Sequence, residues 1–196
     1  ASAGVNAGQA DINRQLQALN SGELYTVARL SCFRDHALAK DETYAIRTNS
    51  GYRWTDPEEL RWSSPASQAV QDYLVALMVE LAQLGFDEIL LDWFLYPTSG
   101  DQTALDLPAD RTAVLKDFAQ ALEKQLPEGT VLSVVLRETP TADSGLTPEL
   151  LTACFDRVYV MPEADASALP ASYDAATRVV AMTAYAPDSG SYLVTQ

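Results

Sequence analysis

Basic residues are scarce in this chain and histidine and cysteine scarcer still, while glycine-rich loops and long apolar runs are missing. Each shortage closes off a class of function. Lys and Arg number 13 against 27 Asp and Glu, giving a formal net charge of −14 and a pI near 4.3. No nucleic acid and no anionic membrane surface is therefore expected as a partner, because both are held by clustered cations. His36 is the single histidine and stands in a polar loop, which leaves no His-based triad or zinc site unless it acts alone. Cys32 and Cys154 fall inside apolar segments without CxxC or metal-ligand spacing and are expected to be buried free thiols. No metal and no cofactor is called for. No stretch is long and apolar enough to insert in a membrane. The chain starts at Ala1 with no basic segment leading into an apolar one, so an export signal is expected to have been removed or never present, and an acidic, processed chain fits an extracytoplasmic protein.

What is there suffices for one domain. The 196 residues are 47% hydrophobic and 20% charged, enough to bury a sizeable core. Residues 1–10 are small and polar with two glycines and predict a flexible tail ahead of a domain over 11–196. Ile12, Leu16 and Leu19 repeat at helical spacing. Tyr25 to Phe33 is rich in β-formers and predicts a first strand. The stretch from Arg34 to Ser63 lacks periodicity and is long for a connection inside a compact domain, which points to a functional loop. Ser64-Pro65 offers a cap and a first-turn proline for a helix whose stripe is Val70, Tyr73, Leu74, Leu77, Leu81 and Leu84, stopped by Gly85.

Ile89-Leu90-Leu91 is then an uninterrupted apolar run, the signature of a strand buried on both faces and hence of a parallel, interior one. It ends on Asp92, Trp93 and Tyr96, before Pro97. Asp87 and Glu88, at its entrance, read as cap or surface charges. A helix capped by Asp110, a strand over Thr130 to Leu136, a helix opened by Thr147-Pro148, and strands at Val158 to Met161 and Val179 to Tyr185 follow, with Tyr192 to Val194 a sixth strand or a frayed end. Alternating strands and helices mean parallel pairing. An open doubly wound sheet and a barrel both satisfy that pattern, but no phosphate-binding glycine loop follows the first strand, which favours the barrel. The expected fold is an α/β, TIM-barrel-like (β/α) domain, abbreviated to about five or six parallel strands against the usual eight. A shortened sheet has an edge, expected to be covered by the N-terminal segment, the C-terminal tail or a second copy in a homo-oligomer.

Three ordered pieces carry a family resemblance: Tyr25-Thr-Val-Ala-Arg29-Leu with Phe33-Arg-Asp35 and Leu38-Ala39; Gly51 with Trp54, Asp56, Trp62 and Pro65; and Gly85-Phe-Asp-Glu-Ile89 running to Asp92-Trp-Phe-Leu-Tyr-Pro97. In these the chain resembles the DUF4015 family of glycoside-hydrolase-like TIM barrels. The second half resembles it mainly through Val160-Met161-Pro162. Leu95 departs from the pattern, which usually has an Arg two residues before the proline. The resemblance implies a carbohydrate substrate or ligand.

Glycoside hydrolysis needs two carboxyl groups facing each other across a sugar. Asp92, Glu138 and Glu163 all fall at predicted strand ends, where barrel enzymes place their chemistry. Asp92 is the leading candidate, its structural alternative being an ion pair with an Arg such as Arg29. Glu138 or Glu163 would be its partner. Trp54, Trp93 and Tyr96 are candidate sugar platforms, Trp62 reads as core, and Arg29 and Asp35 are further candidates for substrate binding, Asp35 to orient Arg29 or a ligand. The rival reading is a carbohydrate-binding or structural module that has kept the barrel scaffold and lost its catalytic pair.

Overall fold

The apolar runs become strands, and the helical stripes become helices laid against them. The computed structural model describes residues 10–170, 173, 175–187 and 190–195. Residues 1–9, most of the expected tail, lie outside the described residues. In order, the elements are α1 (Ala10–Asn20), β1 (Val27–Ser31), α2 (Gln68–Gln83), β2 (Glu88–Asp92), α3 (Arg111–Glu123), β3 (Val131–Leu136), α4 (Pro148–Cys154), β4 (Arg157–Val160), α5 (Ala175–Arg178), β5 (Val179–Thr183) and β6 (Tyr192–Val194).

All five neighbouring pairs are parallel, and the strands lie side by side in chain order from β1 to β6. An order that never reverses has no switch point, which separates this sheet from the doubly wound alternative. The six strands form a curled half-barrel. One face is packed by the helices: Ile89, Leu91, Val134, Leu136, Val158 and Val160 share a core with Leu74, Met78, Leu115, Phe118 and Leu122. The other face carries a separate, helix-free cluster of Leu90, Val135, Tyr159, Val180 and Met182. Because successive residues point to opposite faces, Arg29 in the middle of β1, Asp92 at the carboxyl end of β2 and Arg137 just past β3 fall on this second face of three adjacent strands.

Tyr192–Val194 adds itself to β5 and so covers that edge. Among the described residues nothing pairs with the outer edge of β1 or of β6. Tyr25 and Val27 are exposed there, as are Tyr192 and Val194 at the far side. The N-terminal helix does not cover the β1 edge by pairing: its last residue, Asn20, instead donates its side-chain amide to the Leu84 carbonyl at the end of α2. Gly85 follows with φ of 92°, a left-handed turn that a glycine takes without steric cost.

Two local readings need correction. The second helix starts at Gln68 after Ser67, not at Ser64-Pro65. The Ser64 amide bonds the Tyr44 carbonyl and the Pro65 carbonyl accepts from Gln71, so that dipeptide ties down the long loop instead of opening the helix. Glu88 is not a surface charge: it is fully buried, accepting from the Tyr25 hydroxyl at 2.7 Å and from Arg157. Burial, and then the neighbouring Glu88, push the Tyr25 hydroxyl up to about 12. Asp87 does act as a cap, on the Thr26 amide. Asp110 and Thr147 cap α3 and α4 as expected, and both cysteines are free and buried.

The connection after β3 is fixed by Gly145, which has φ of 77° and lies so close to α3 that a Cβ would stand 2.8 Å from a Leu115 methyl and 3.1 Å from the Arg111 carbonyl. The Gly145→Ala variant is expected to lose about 1–2 kcal/mol of stability from the left-handed backbone and the crowding together. A denaturant midpoint indistinguishable from wild type would show that this contact holds nothing in place.

Candidate active site at the carboxyl ends of the strands

β2 ends on Asp92, and the chain then turns sharply, with Trp93 at φ of 51°. A bulky residue in the left-handed region is uncommon and strained. The turn lets the Trp93 amide bond back to Asp92 Oδ1 at 2.8 Å. Arg29, from β1, donates Nε and Nη2 to Asp92 Oδ2 at 2.9 and 2.6 Å. Arg137, one residue past β3, donates Nε to Oδ1 at 2.6 Å and Nη2 to Oδ2 at 2.8 Å. Asp92 therefore receives five donors, which saturates a carboxylate with about four lone-pair sites. Burial alone would raise the Asp92 carboxyl, but the hydrogen bonds and charge of Arg137, then of Arg29, outweigh it and hold the group below the usual carboxylate range.

Trp93 links this cluster to a second one. The Arg137 guanidinium lies 3.9 Å from its ring centroid and that of Arg34 4.5 Å, so two cations share one indole. Arg34 Nη2 in turn reaches Asp56 at 2.9 Å and Glu58 at 2.8 Å. Asp56 also accepts from Trp62 Nε1 and from the amides of Glu58 and Leu60. Burial pushes its carboxyl up, while the bonds from Trp62, Leu60 and Arg34 win and hold it low. Trp62 stacks edge-on against Trp93 at 5.5 Å and against Trp54 at 6.4 Å.

Beside the second cluster and Trp93 opens a cleft of about 230 Å³ bordered by Arg34, Glu58, Trp62, Trp93, Thr98 and Glu138. Glu138 stands two residues past β3 and accepts from the Thr98 hydroxyl at 2.8 Å on Oε2. Its Oε1 is buried without a partner among the described residues. Burial raises the Glu138 carboxyl, and the Thr98 bond offsets this only in part.

The remaining predicted residues separate. Glu163 is exposed in the turn after β4 and does not border the cleft. Asp35 spends Oδ1 on the amides of Ala37 and Leu38 and makes no bond to Arg29. Tyr96 is wholly buried and presents no face to a sugar. Trp54 is half-buried against Trp62 and lies outside the cleft's border. His36 Nδ1 accepts from the Arg61 amide. Arg34, Asp56, Glu58, Thr98 and Arg137 join the site although sequence patterning does not mark them as site residues. Arg34 in the Phe-Arg-Asp piece and Arg137 beside Glu138 were the available signals.

The family model described as "Putative glycosyl hydrolase domain", DUF4015, matches residues 1–136. That is well over half of the chain. The chain belongs to this family. Solved structures agree with it in architecture. A hypothetical protein from Ruminiclostridium thermocellum is 24% identical with a TM-score of 0.53, over 67% of this chain and 75% of its own. A chitinase from Rhizomucor miehei is 15% identical with a TM-score of 0.55, over 90% and 56%. A variant of the glycoside hydrolase domain of PelA from Pseudomonas aeruginosa is 18% identical with a TM-score of 0.54, over 87% and 71%. At these identities the likeness shows the fold alone. This DUF4015 chain spans only part of each neighbour, a little over half in the case of the chitinase. No curated protein matches it. Among the described residues no helix is long and apolar enough to cross a membrane, and no group of His, Cys, Asp or Glu is arranged to hold a metal ion.

Proposed function

We propose that the chain is a glycoside hydrolase whose proton donor is Glu138, acting outside the cytoplasm on a polysaccharide or oligosaccharide. The observation that carries this is Glu138 itself: a half-buried carboxyl at a strand end, bordering a cleft shared with Trp62 and Trp93. A carboxyl that burial pushes above its ordinary range is suited to donate to the leaving glycosidic oxygen as the bond to the sugar breaks. The partner must be ionised and have a free oxygen. Asp92 is ionised but saturated, so in this proposal it acts as an anchor that fixes Arg137 against Trp93. Glu58 borders the same cleft, has 73% of its side chain exposed, and gives only Oε2 to Arg34. It is the carboxylate available to take a proton from the attacking water, after which one proton has left the water and one has entered the leaving group. No cofactor enters this chemistry.

The saturation of Asp92 also favours a second reading, a glycan-binding module that has kept the scaffold without turnover, and Leu95 in place of the pattern's Arg points the same way. A panel of soluble polysaccharides assayed for new reducing ends separates the two. Release by wild type supports the hydrolase; retention of a glycan on an affinity gel without release supports the module; neither release nor retention ends both.

A further inference from the structure

We propose that Arg29 and Arg137 form a docking point for a carboxylate carried by the glycan, so that the preferred substrate is an acidic, uronate-containing polysaccharide. This rests on the glycan reading above and goes beyond it by naming the substrate class.

Charge accounting around the site motivates the proposal. Arg34 is matched by two acids, Asp56 and Glu58. Arg29 and Arg137 share a single acid, Asp92, and so carry one positive charge more than their partner. Both spend Nε and Nη2 on Asp92, and among the described residues the Nη1 group of neither has an acceptor. Their side chains are 37% and 20% exposed, so they are partly open to solvent while Asp92 beneath them is not. A guanidinium held by one carboxylate along one edge keeps donors along the other, in the fork geometry that fits a second carboxylate.

The wider field agrees. Residues 25–63, which contain β1 and the long loop, hold six basic and six acidic side chains, so the whole net charge of −14 falls on the other residues. The net negative charge that opposes an anion thus lies outside the segment that carries Arg29 and Arg34. Arg137 lies over Trp93, which borders the cleft, so a sugar whose carboxylate met the two guanidiniums would lie beside that cleft.

The test is binding of an oligogalacturonate to the full chain by calorimetry, with its methyl ester as a neutral control of the same shape. The free acid is expected to bind about tenfold or more tightly than the ester, and Arg29→Gln to remove about tenfold of that affinity, the size of one charge-assisted contact. Arg29→Lys, which keeps the charge, should retain part of the preference, and added salt should erode it. Asp92 keeps Arg137 in both variants, and circular dichroism checks that they fold. Equal affinity for acid and ester, or an Arg29→Gln variant that binds like wild type, overturns the inference. Turnover of a neutral glycan with no uronate binding would end this inference and leave the hydrolase reading standing. Uronate binding with no turnover would support this inference and count against the hydrolase.

Discussion

The Glu138→Gln variant should lose about 10²- to 10⁴-fold in kcat toward any glycan the wild type cleaves, the usual worth of a positioned general acid, while still binding it. Glutamine keeps the shape of the side chain and can still meet the Thr98 hydroxyl, so the fold and the cleft should survive. Only the transferable proton is gone. The pH profile gives an independent check. Glu138 must be protonated to act, and burial holds its carboxyl above the ordinary range, so wild-type activity should fall as pH rises through that elevated value. Loss of the alkaline limb in Glu138→Gln, with activity restored toward substrates bearing an activated leaving group, would assign that limb to this residue. A variant with unchanged kcat and an unchanged alkaline limb would remove Glu138 from the mechanism.

Asp92→Ala should be strongly destabilising, by about 3 kcal/mol. Removing one member of a buried ion pair strands the other, at 3–5 kcal/mol in well-sealed cases. The lower figure applies here because Arg29 and Arg137 are partly solvated. Asp92→Asn keeps the shape and two acceptor sites and should cost less. The sign with pH follows from the depressed carboxyl. A group whose folded-state pKa lies below its unfolded value stabilises the protein above the unfolded pKa, and that contribution disappears as pH falls through the folded value. Asp56, also held low, adds in the same direction. Urea midpoints of wild type should therefore drop on acidification through the carboxylate range, and those of Asp92→Asn should drop less. Parallel pH dependence in the two proteins would mean that the Arg29–Asp92–Arg137 cluster contributes no net stabilisation.

Pattern reading worked where contacts are local. Periodicity placed α2 and α3, the caps at Asp110 and Thr147 were visible as residue types ahead of apolar stripes, and the Ile89-Leu90-Leu91 run announced a strand buried on both sides. It worked less well at the long loop, where Ser64-Pro65 has every local feature of a helix start. The Tyr44 carbonyl, twenty residues earlier in the chain, takes the Ser64 amide and draws the dipeptide into the loop. Glu88 shows the same limit, since a carboxylate beside a strand reads as surface unless its partner Arg157, 69 residues away, is known to face it.

The sequence by itself determined the strand-and-helix alternation, the parallel class of the sheet and the position of carboxylates at strand ends, because each follows from side-chain period and turn chemistry within a few residues. Only the tertiary structure decided which carboxylate could still donate or accept a proton. Curling the sheet brings Arg29 and Arg137 onto Asp92 from neighbouring strands and fills its lone pairs, while it leaves Glu138 half-buried at the cleft with one oxygen unpaired among the described residues. Protonation and availability depend on charges and desolvation supplied through space by residues 45 and 63 positions away, and no spacing along the chain encodes them.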